Sequence, residues 1–118
     1  MKRKDVFDRV RAAGLALPDV EEATKCGAPT LQHGGRYMAG LATHPSAEPD
    51  SLVVKISHED REWLLEEAPD TYYLTDYYRP HPVVLVRLSR IEQAALRDVL
   101  TVSWRITSAR AKALTPIS

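Results

Sequence analysis

The sequence predicts an α+β fold: a single antiparallel sheet of about five strands, packed with three helices in the order α-β-β-β-α-β-α. Apolar residues recur at helical spacing near both ends of the chain, and short β-branched runs lie between them. The links between these runs are hairpin-length, which favours antiparallel pairing and helices packed onto the sheet. At 118 residues the chain is expected to be one domain, spanning residues 1–118.

The first helix is predicted over residues 4–17. Val6, Val10 and Leu17 are among the apolar residues that recur there at helical spacing, and charged residues lie between them. Pro18 disfavours the helical conformation at the residue before it, so the helix should end there.

Three strands are expected next. Residues 21–26 are a weak candidate with little apolar content, whereas 29–33 and 37–42 are better candidates. Between the latter two, Gly34 and Gly35 supply the positive φ angles of a tight hairpin. The segment that follows contains prolines and no large apolar residue, so we expect a surface loop.

Residues 52–56 form the next predicted strand, with Lys55 on the face opposite the strand's apolar set. Ser57 is a suitable N-cap for a helix that carries Trp63. Pro69 sets the limit of that helix.

The most apolar run of the chain, Val83–Leu88, is predicted as a strand within the sheet. Alternation places Arg87 on the same second face as Lys55. Ser89 to Glu92 reads as a capping box, from which a long helix extends to about Ala113. Its apolar stripe, which we expect to pack on the sheet face of Val84, Val86 and Leu88, consists of Ile91, Ala95, Val99, Val102, Ile106 and Ala109. The residues predicted on its far side are Arg90, Arg97, Trp104, Arg105 and Lys112.

Composition narrows the possible functions. Sixteen basic and sixteen acidic side chains give zero formal net charge, so nothing attracts the chain as a whole to nucleic acid or membrane. The single cysteine, Cys26, excludes an internal disulfide. No apolar run could span a bilayer or form a signal-peptide core, and we expect a cytoplasmic protein, with a monomer favoured. The four histidines lack metal-site spacing and no nucleophile motif is present, so no metal, cofactor or enzymatic activity is expected.

Several motifs resemble the MmcQ/YjbR family in order and over nearly the whole chain. Those similar to its opening are Leu15-Ala16-Leu17-Pro18-Asp19-Val20-Glu21-Glu22, then Gly27 and Gly34-Gly35-Arg36. Those similar to its second half are Asp60-Arg61 to Leu65, Thr75-Asp76-Tyr77-Tyr78-Arg79, Pro82-Val83-Val84-Leu85-Val86-Arg87-Leu88 and Ser103-Trp104-Arg105. The resemblance implies a fold similar to bacterial frataxin (CyaY-like) and contact with double-stranded DNA through β-hairpin wings, and it carries no catalytic residue over to this chain.

Two functions therefore lead, ahead of an enzyme with an unrecognised site. In the first, implied by the resemblance, the chain binds DNA weakly and non-specifically through a hairpin wing and nearby basic residues, namely Gly34, Gly35, Arg36, Arg79, Arg90 and Arg97. In the second, the open sheet face binds an anionic small molecule or a protein, through Lys55 and Arg87 with Tyr77 or Tyr78 at the rim. The competing expectation for that face is that carboxylates of the middle helix, such as Glu66 or Glu67, pair with both cations.

Overall fold

The computed structural model describes the backbone of residues 3–114 and the side chains of residues 6–108. In chain order the elements are α1 (Arg3–Gly14), β1 (Val20–Lys25), β2 (Ala28–His33), β3 (Arg36–Leu41), β4 (Ser51–Lys55), α2 (His58–Glu67), β5 (Tyr72–Tyr73), β6 (Val83–Arg87) and α3 (Gln93–Leu114). The strands form one sheet in the order β1-β2-β3-β4-β6-β5, and every neighbouring pair is antiparallel. The α+β class is thus confirmed.

The sheet has six strands, where about five were expected, with four before α2 and two after it. The strand predicted weakly at residues 21–26 is present as β1, which pairs with β2 over its full length. Neither face of β1 is buried, so its sequence shows no alternation of apolar and polar residues. β5 has only two residues, which is too short for any periodicity to show in the sequence.

Two tight turns with positive φ angles organise the first three strands. The predicted glycine pair adopts φ 58° at Gly34 and φ 81° at Gly35, between β2 and β3. The β1–β2 turn uses Cys26 at φ 54° and Gly27 at φ 77°. Such angles at both central residues suit two-residue hairpins, because their twist matches that of the strands.

One face of the sheet packs against the helices and holds the main core, and we call it the helix-covered face. As predicted, Val84, Val86 and Leu88 lie in the same buried cluster as residues of α3, among them Val99. The most deeply buried side of α3 is rotated from the predicted stripe, because Val102 and Ile106 are only half-buried. The buried side consists of Leu96, Leu100, Ser103 and Thr107. The predictions for Ala109 and Lys112 concern side chains outside the described residues.

Two polar residues on α3 explain the rotation. The Ser103 hydroxyl donates to the Met38 carbonyl, and the Thr107 hydroxyl donates to the carbonyls of Ser103 and Trp104. Hydrogen-bonded hydroxyls can be buried at little cost, so these positions occupy the core although a hydrophobicity pattern does not mark them. Trp104, predicted on the wet side, instead donates its indole N–H to the Pro18 carbonyl.

The start of α3 also differs from the prediction. The helix begins at Gln93 rather than after Ser89, which lies in a turn where the amides of Arg90 and Ile91 bond the carbonyl of Arg87. The capping-box prediction is therefore wrong. The guanidinium of Arg9 on α1 binds this segment, donating to the carbonyls of Leu88 (2.7 Å) and Ile91 (2.6 Å), and it thereby ties the first helix to the entrance of the last.

The opposite face of the sheet carries Val53, Val83 and Leu85, buried beneath two loops, residues 42–50 and 74–82. We call it the loop-covered face. The sequence led us to expect an open face, but the hydrophobic side chains on these strands require a cover. No helix in the described part of the chain is both long and apolar enough to cross a bilayer.

Candidate functional site

The two cations predicted to share the second sheet face do emerge there, but not together. In the β4–β6 pair, Lys55 lies opposite Val83 and Arg87 lies opposite Ser51. Four residues of strand therefore separate them, roughly 13 Å at the rise of an antiparallel strand. One small anion cannot contact both side chains at these strand positions. The β4–β6 register therefore does not place Lys55 and Arg87 in the one shared site that the sequence had predicted.

Arg87 is engaged within the protein. Its guanidinium holds the carboxylate of Glu48 through two bonds of 2.9 Å, donates to the carbonyls of Pro69 and Asp70, and lies 4.3 Å from the ring centroid of Tyr73. The hydrogen bond from Arg87 lowers the pKa of Glu48, and the same bond raises the pKa of Arg87. The partner is a loop carboxylate and not one from α2. Arg87 therefore ties the loop of residues 42–50 and the segment between α2 and β5 to the sheet.

Lys55 lines a pocket of about 300 Å³ on the loop-covered face. Lys25 and His81 also line it, so three basic side chains surround one concavity. Among the described residues, no aspartate or glutamate contributes to its wall. We call this concavity the basic pocket. The ammonium groups of Lys25 and Lys55 in one concavity suit an anion, because like charges close together in a concave, partly desolvated site reinforce one another's potential.

The floor of the basic pocket contains a buried hydroxyl without a partner. Thr30 is 2% exposed, and its Oγ1 makes no hydrogen bond within the described chain. A buried polar atom left unpaired costs free energy, so it is uncommon in a folded protein. Tyr37 lies beside it, and burial raises the pKa of its phenol, which therefore stays protonated as a donor. A Cβ on Gly40 would lie 2.6 Å from Thr30 and 2.9 Å from the Tyr37 hydroxyl, so glycine is needed here.

The predicted tyrosines form the far wall of the pocket. The ring of Tyr77 stacks on His44 at 3.5 Å between centroids and packs edge-on against Tyr78 at 4.9 Å. Tyr78 is buried and its hydroxyl accepts from the His44 amide at 3.3 Å, whereas Tyr77 is 51% exposed. The stacked pair joins the two covering loops, so the wall is buried in its lower part and accessible at its edge.

Arg61 of α2 holds the same wall from behind. It is 5% exposed, and its Nη1 donates to the carbonyls of Arg79 (3.3 Å), His81 (2.8 Å) and Val83 (3.1 Å), while its Nε has no partner among the described residues. Three carbonyls converging on one guanidinium fix the backbone that presents His81. Arg61 is thus a positioning residue for the basic pocket.

The six predicted DNA-contacting residues fall at the two ends of the sheet. Gly34, Gly35 and Arg36 connect β2 to β3, at the end where β4 finishes and β6 begins. Arg79, 59% exposed at its side chain and 3.8 Å from Asp76, precedes β6 at that same end. Arg90 and Arg97 are exposed, but they follow β6 at the other end. The structure thus brings Arg36 and Arg79 to one end and leaves the other pair apart from them.

Several pocket residues carried no signal in the sequence. Lys25, Thr30, Tyr37 and His81 come from three strands and a loop, and only the strand register places them around Lys55. Alternation alone would have put Thr30 on the correct face once β2 was paired with β3. Within the described residues, no three of the His, Cys, Asp and Glu side chains are arranged to hold a metal ion.

The sequence is similar to known proteins and to one protein family. The chain is 33% identical over 66 residues to uncharacterized protein Rv2570 of Mycobacterium tuberculosis and equally to uncharacterized protein Mb2600 of Mycobacterium bovis. Each match covers 52% of this chain and 51% of the relative, so the chain spans about half the length of the curated relatives it matches. The family model for YjbR matches residues 15–106, which include every strand, both covering loops and the basic pocket. The chain belongs to the YjbR family.

Proposed function

We propose that this protein is a binding protein whose basic pocket takes a small anionic ligand, a phosphate or carboxylate compound. The observation that carries the proposal is the Thr30 hydroxyl, buried on the pocket floor without a partner. A ligand oxygen within reach would form a hydrogen bond with this hydroxyl. The free-energy cost of leaving the hydroxyl unpaired would then disappear, and this gain would contribute to binding.

The surrounding groups fit the same ligand. Lys55 and Lys25 supply positive charge, the imidazole of His81 supplies a ring nitrogen, and the protonated Tyr37 phenol supplies a neutral donor. A volume of about 300 Å³ suits a ligand the size of a small phosphate ester. The half-exposed ring of Tyr77 at the rim favours an anion that also carries an apolar or aromatic group.

Thermal unfolding in the presence of inorganic phosphate, sulfate or phenyl phosphate, against chloride at equal ionic strength, tests the proposal. A ligand at about ten times its Kd stabilises the folded state by about 1.4 kcal/mol. We expect Lys55→Met to abolish the anion-dependent rise in Tm. The matched control is Arg105→Met, which removes an exposed cation of α3 outside the pocket and should retain the rise.

Two results would reject this site. One is that no anion raises Tm more than chloride does at the same ionic strength. The other is that Lys55→Met and Arg105→Met reduce the rise equally, since the stabilisation would then come from general screening of surface charge and not from the pocket.

Weak, non-specific binding of double-stranded DNA is the second candidate. It is favoured by the exposed Gly34–Gly35 hairpin tip, which brings Arg36 to the end of the sheet where Arg79 also lies. Few phosphates would be neutralised by two arginines in a chain of zero net charge, so affinity should be micromolar or poorer, with a shallow dependence on salt.

Fluorescence anisotropy with a random-sequence duplex at low salt tests this second candidate. We expect Arg36→Ala and Arg79→Ala each to weaken binding, and Arg97→Ala, which lies at the other end of the sheet, to leave it unchanged. Absence of binding at low salt, or an equal loss in all three variants, would remove the hairpin from consideration.

A further inference from the structure

A second, larger concavity lies between α2 and the first half of α3, on the side of the molecule that the basic pocket does not reach. Its volume is about 580 Å³, within the range of small-molecule sites. Its walls are mostly apolar, with Leu64 of α2 facing Val99 of α3. Trp63 stands at its edge and is 60% exposed, an unusual position for the largest apolar side chain. We call this concavity the interhelical cleft.

The charge of the cleft is opposite to that of the basic pocket. Four carboxylates line it, those of Asp60, Glu67, Glu92 and Asp98, against the single guanidinium of Arg90, a net of −3. Through their side chains these four make no hydrogen bond or ion pair with any residue that the structure describes. The charge of Arg90 also acts on Glu48, whose pKa it helps to lower, so it is shared with a group outside the cleft.

A buried polar side chain also opens into the cleft. Tyr72 is 5% exposed, lines the cleft, and its hydroxyl has no hydrogen-bond partner within the described chain. Burial raises the pKa of Tyr72, and the nearby negative charge of Asp98 raises it further, which places that carboxylate within electrostatic reach of the phenol. The phenol oxygen and the Asp98 carboxylate thus line one concavity, and oxygen acceptors in such an arrangement match an ammonium donor.

We infer that the interhelical cleft binds a hydrophobic organic cation, a protonated amine carried on an aromatic or aliphatic body. The body would pack between Leu64 and Val99, and the ammonium would lie against Asp98 and the Tyr72 hydroxyl. The exposed indole of Trp63 offers its π-face to the same charge, an interaction that is stronger for a cation than for a neutral or anionic group. This site is independent of the basic pocket and of its proposed ligand.

Three probes that share one body and differ in charge test the inference: 4-phenylbutylamine, 4-phenylbutan-1-ol and 4-phenylbutyrate. Their binding is followed by the emission of Trp63 in a Trp104→Phe protein and by calorimetry on the wild-type chain, both at low salt. We expect the amine to bind at least tenfold more tightly than the alcohol and the carboxylate. The double variant Glu67→Gln/Asp98→Asn should lose that preference while its affinity for the alcohol stays within about twofold.

The control is Glu62→Gln, which neutralises an exposed carboxylate of α2 outside the cleft and should change neither affinity. Equal affinity for the three probes, or no saturable binding by either method, overturns the inference. Binding of a basic amphipathic helical peptide where the amine fails to bind would also overturn it, because the cleft would then be a docking groove for a protein partner.

Discussion

Replacing Thr30 with valine should stabilise the free protein and weaken its binding of anions. The two side chains have nearly the same shape and both suit a strand, so the substitution removes a hydroxyl without opening a cavity. Thr30 is 2% exposed and its Oγ1 has no partner within the described chain. A hydroxyl that serves to bind a ligand here makes the ligand-free protein less stable than an apolar side chain of the same shape would.

The magnitude follows from the burial of the hydroxyl. An unsatisfied buried polar group costs about 1–3 kcal/mol, and valine avoids that cost. We expect Thr30→Val to raise the free energy of unfolding by about 1 kcal/mol and Tm by roughly 4 °C in a domain of this size. With a saturating anion the order should reverse, because only the wild-type protein regains the hydrogen bond.

The matched control is Thr107→Val. Thr107 is also 2% exposed, but its hydroxyl donates to the carbonyls of Ser103 and Trp104, so the same substitution there should destabilise by about 1 kcal/mol. Urea denaturation measures both variants, with and without inorganic phosphate. Destabilisation of the free protein by Thr30→Val, as by Thr107→Val, would contradict the prediction, since the Thr30 hydroxyl would then already be satisfied.

Three other perturbations test the fold and the support of the pocket. Val99→Asp places a charge at a position 3% exposed in the core, and we expect loss of cooperative unfolding by circular dichroism; a near-normal Tm would contradict the packing of α3. Arg61→Met removes three bonds to carbonyls, and we expect a loss of about 2–3 kcal/mol in urea denaturation together with weaker phosphate binding; an unchanged affinity would show that the wall holds without it. The lowered pKa of Glu48 means that its pairing stabilises the fold above the ordinary value near 4.5 and ceases to do so as pH falls through the lower folded value. Wild-type protein should therefore exceed Glu48→Gln in stability at pH 7, and this excess should shrink as pH falls below 4.5; an excess that does not change with pH would refute the pairing.

The sequence predicted correctly those features that depend on a single helix, strand or turn. Helical spacing located α1 and α3, the glycine pair located one hairpin, and alternation put Lys55 and Arg87 on one face. It failed where a residue's burial depends on a distant partner. Ser103 and Thr107 occupy the core because their hydroxyls bond backbone carbonyls, which no hydrophobicity pattern records.

The candidate sites show the same division. Of the four residues predicted for an anion site, Lys55, Tyr77 and Tyr78 line one pocket, and Arg87 is bound to Glu48, which lies 39 residues away in the chain. The interhelical cleft had no counterpart in the sequence analysis, because its walls come from two helices, a short strand and a turn that lie far apart in the chain.

By itself, then, the sequence determined the fold class, the family resemblance and the face on which each strand residue lies, since these follow from local periodicity and motif order. Tertiary structure alone decided which charged groups pair with one another and which line a cavity. The physical reason is that strand register and loop packing set distances between residues far apart in the chain, and electrostatic interactions depend on those distances. The separation of Lys55 from Arg87 was fixed by the β4–β6 register, and with it the place of the basic pocket.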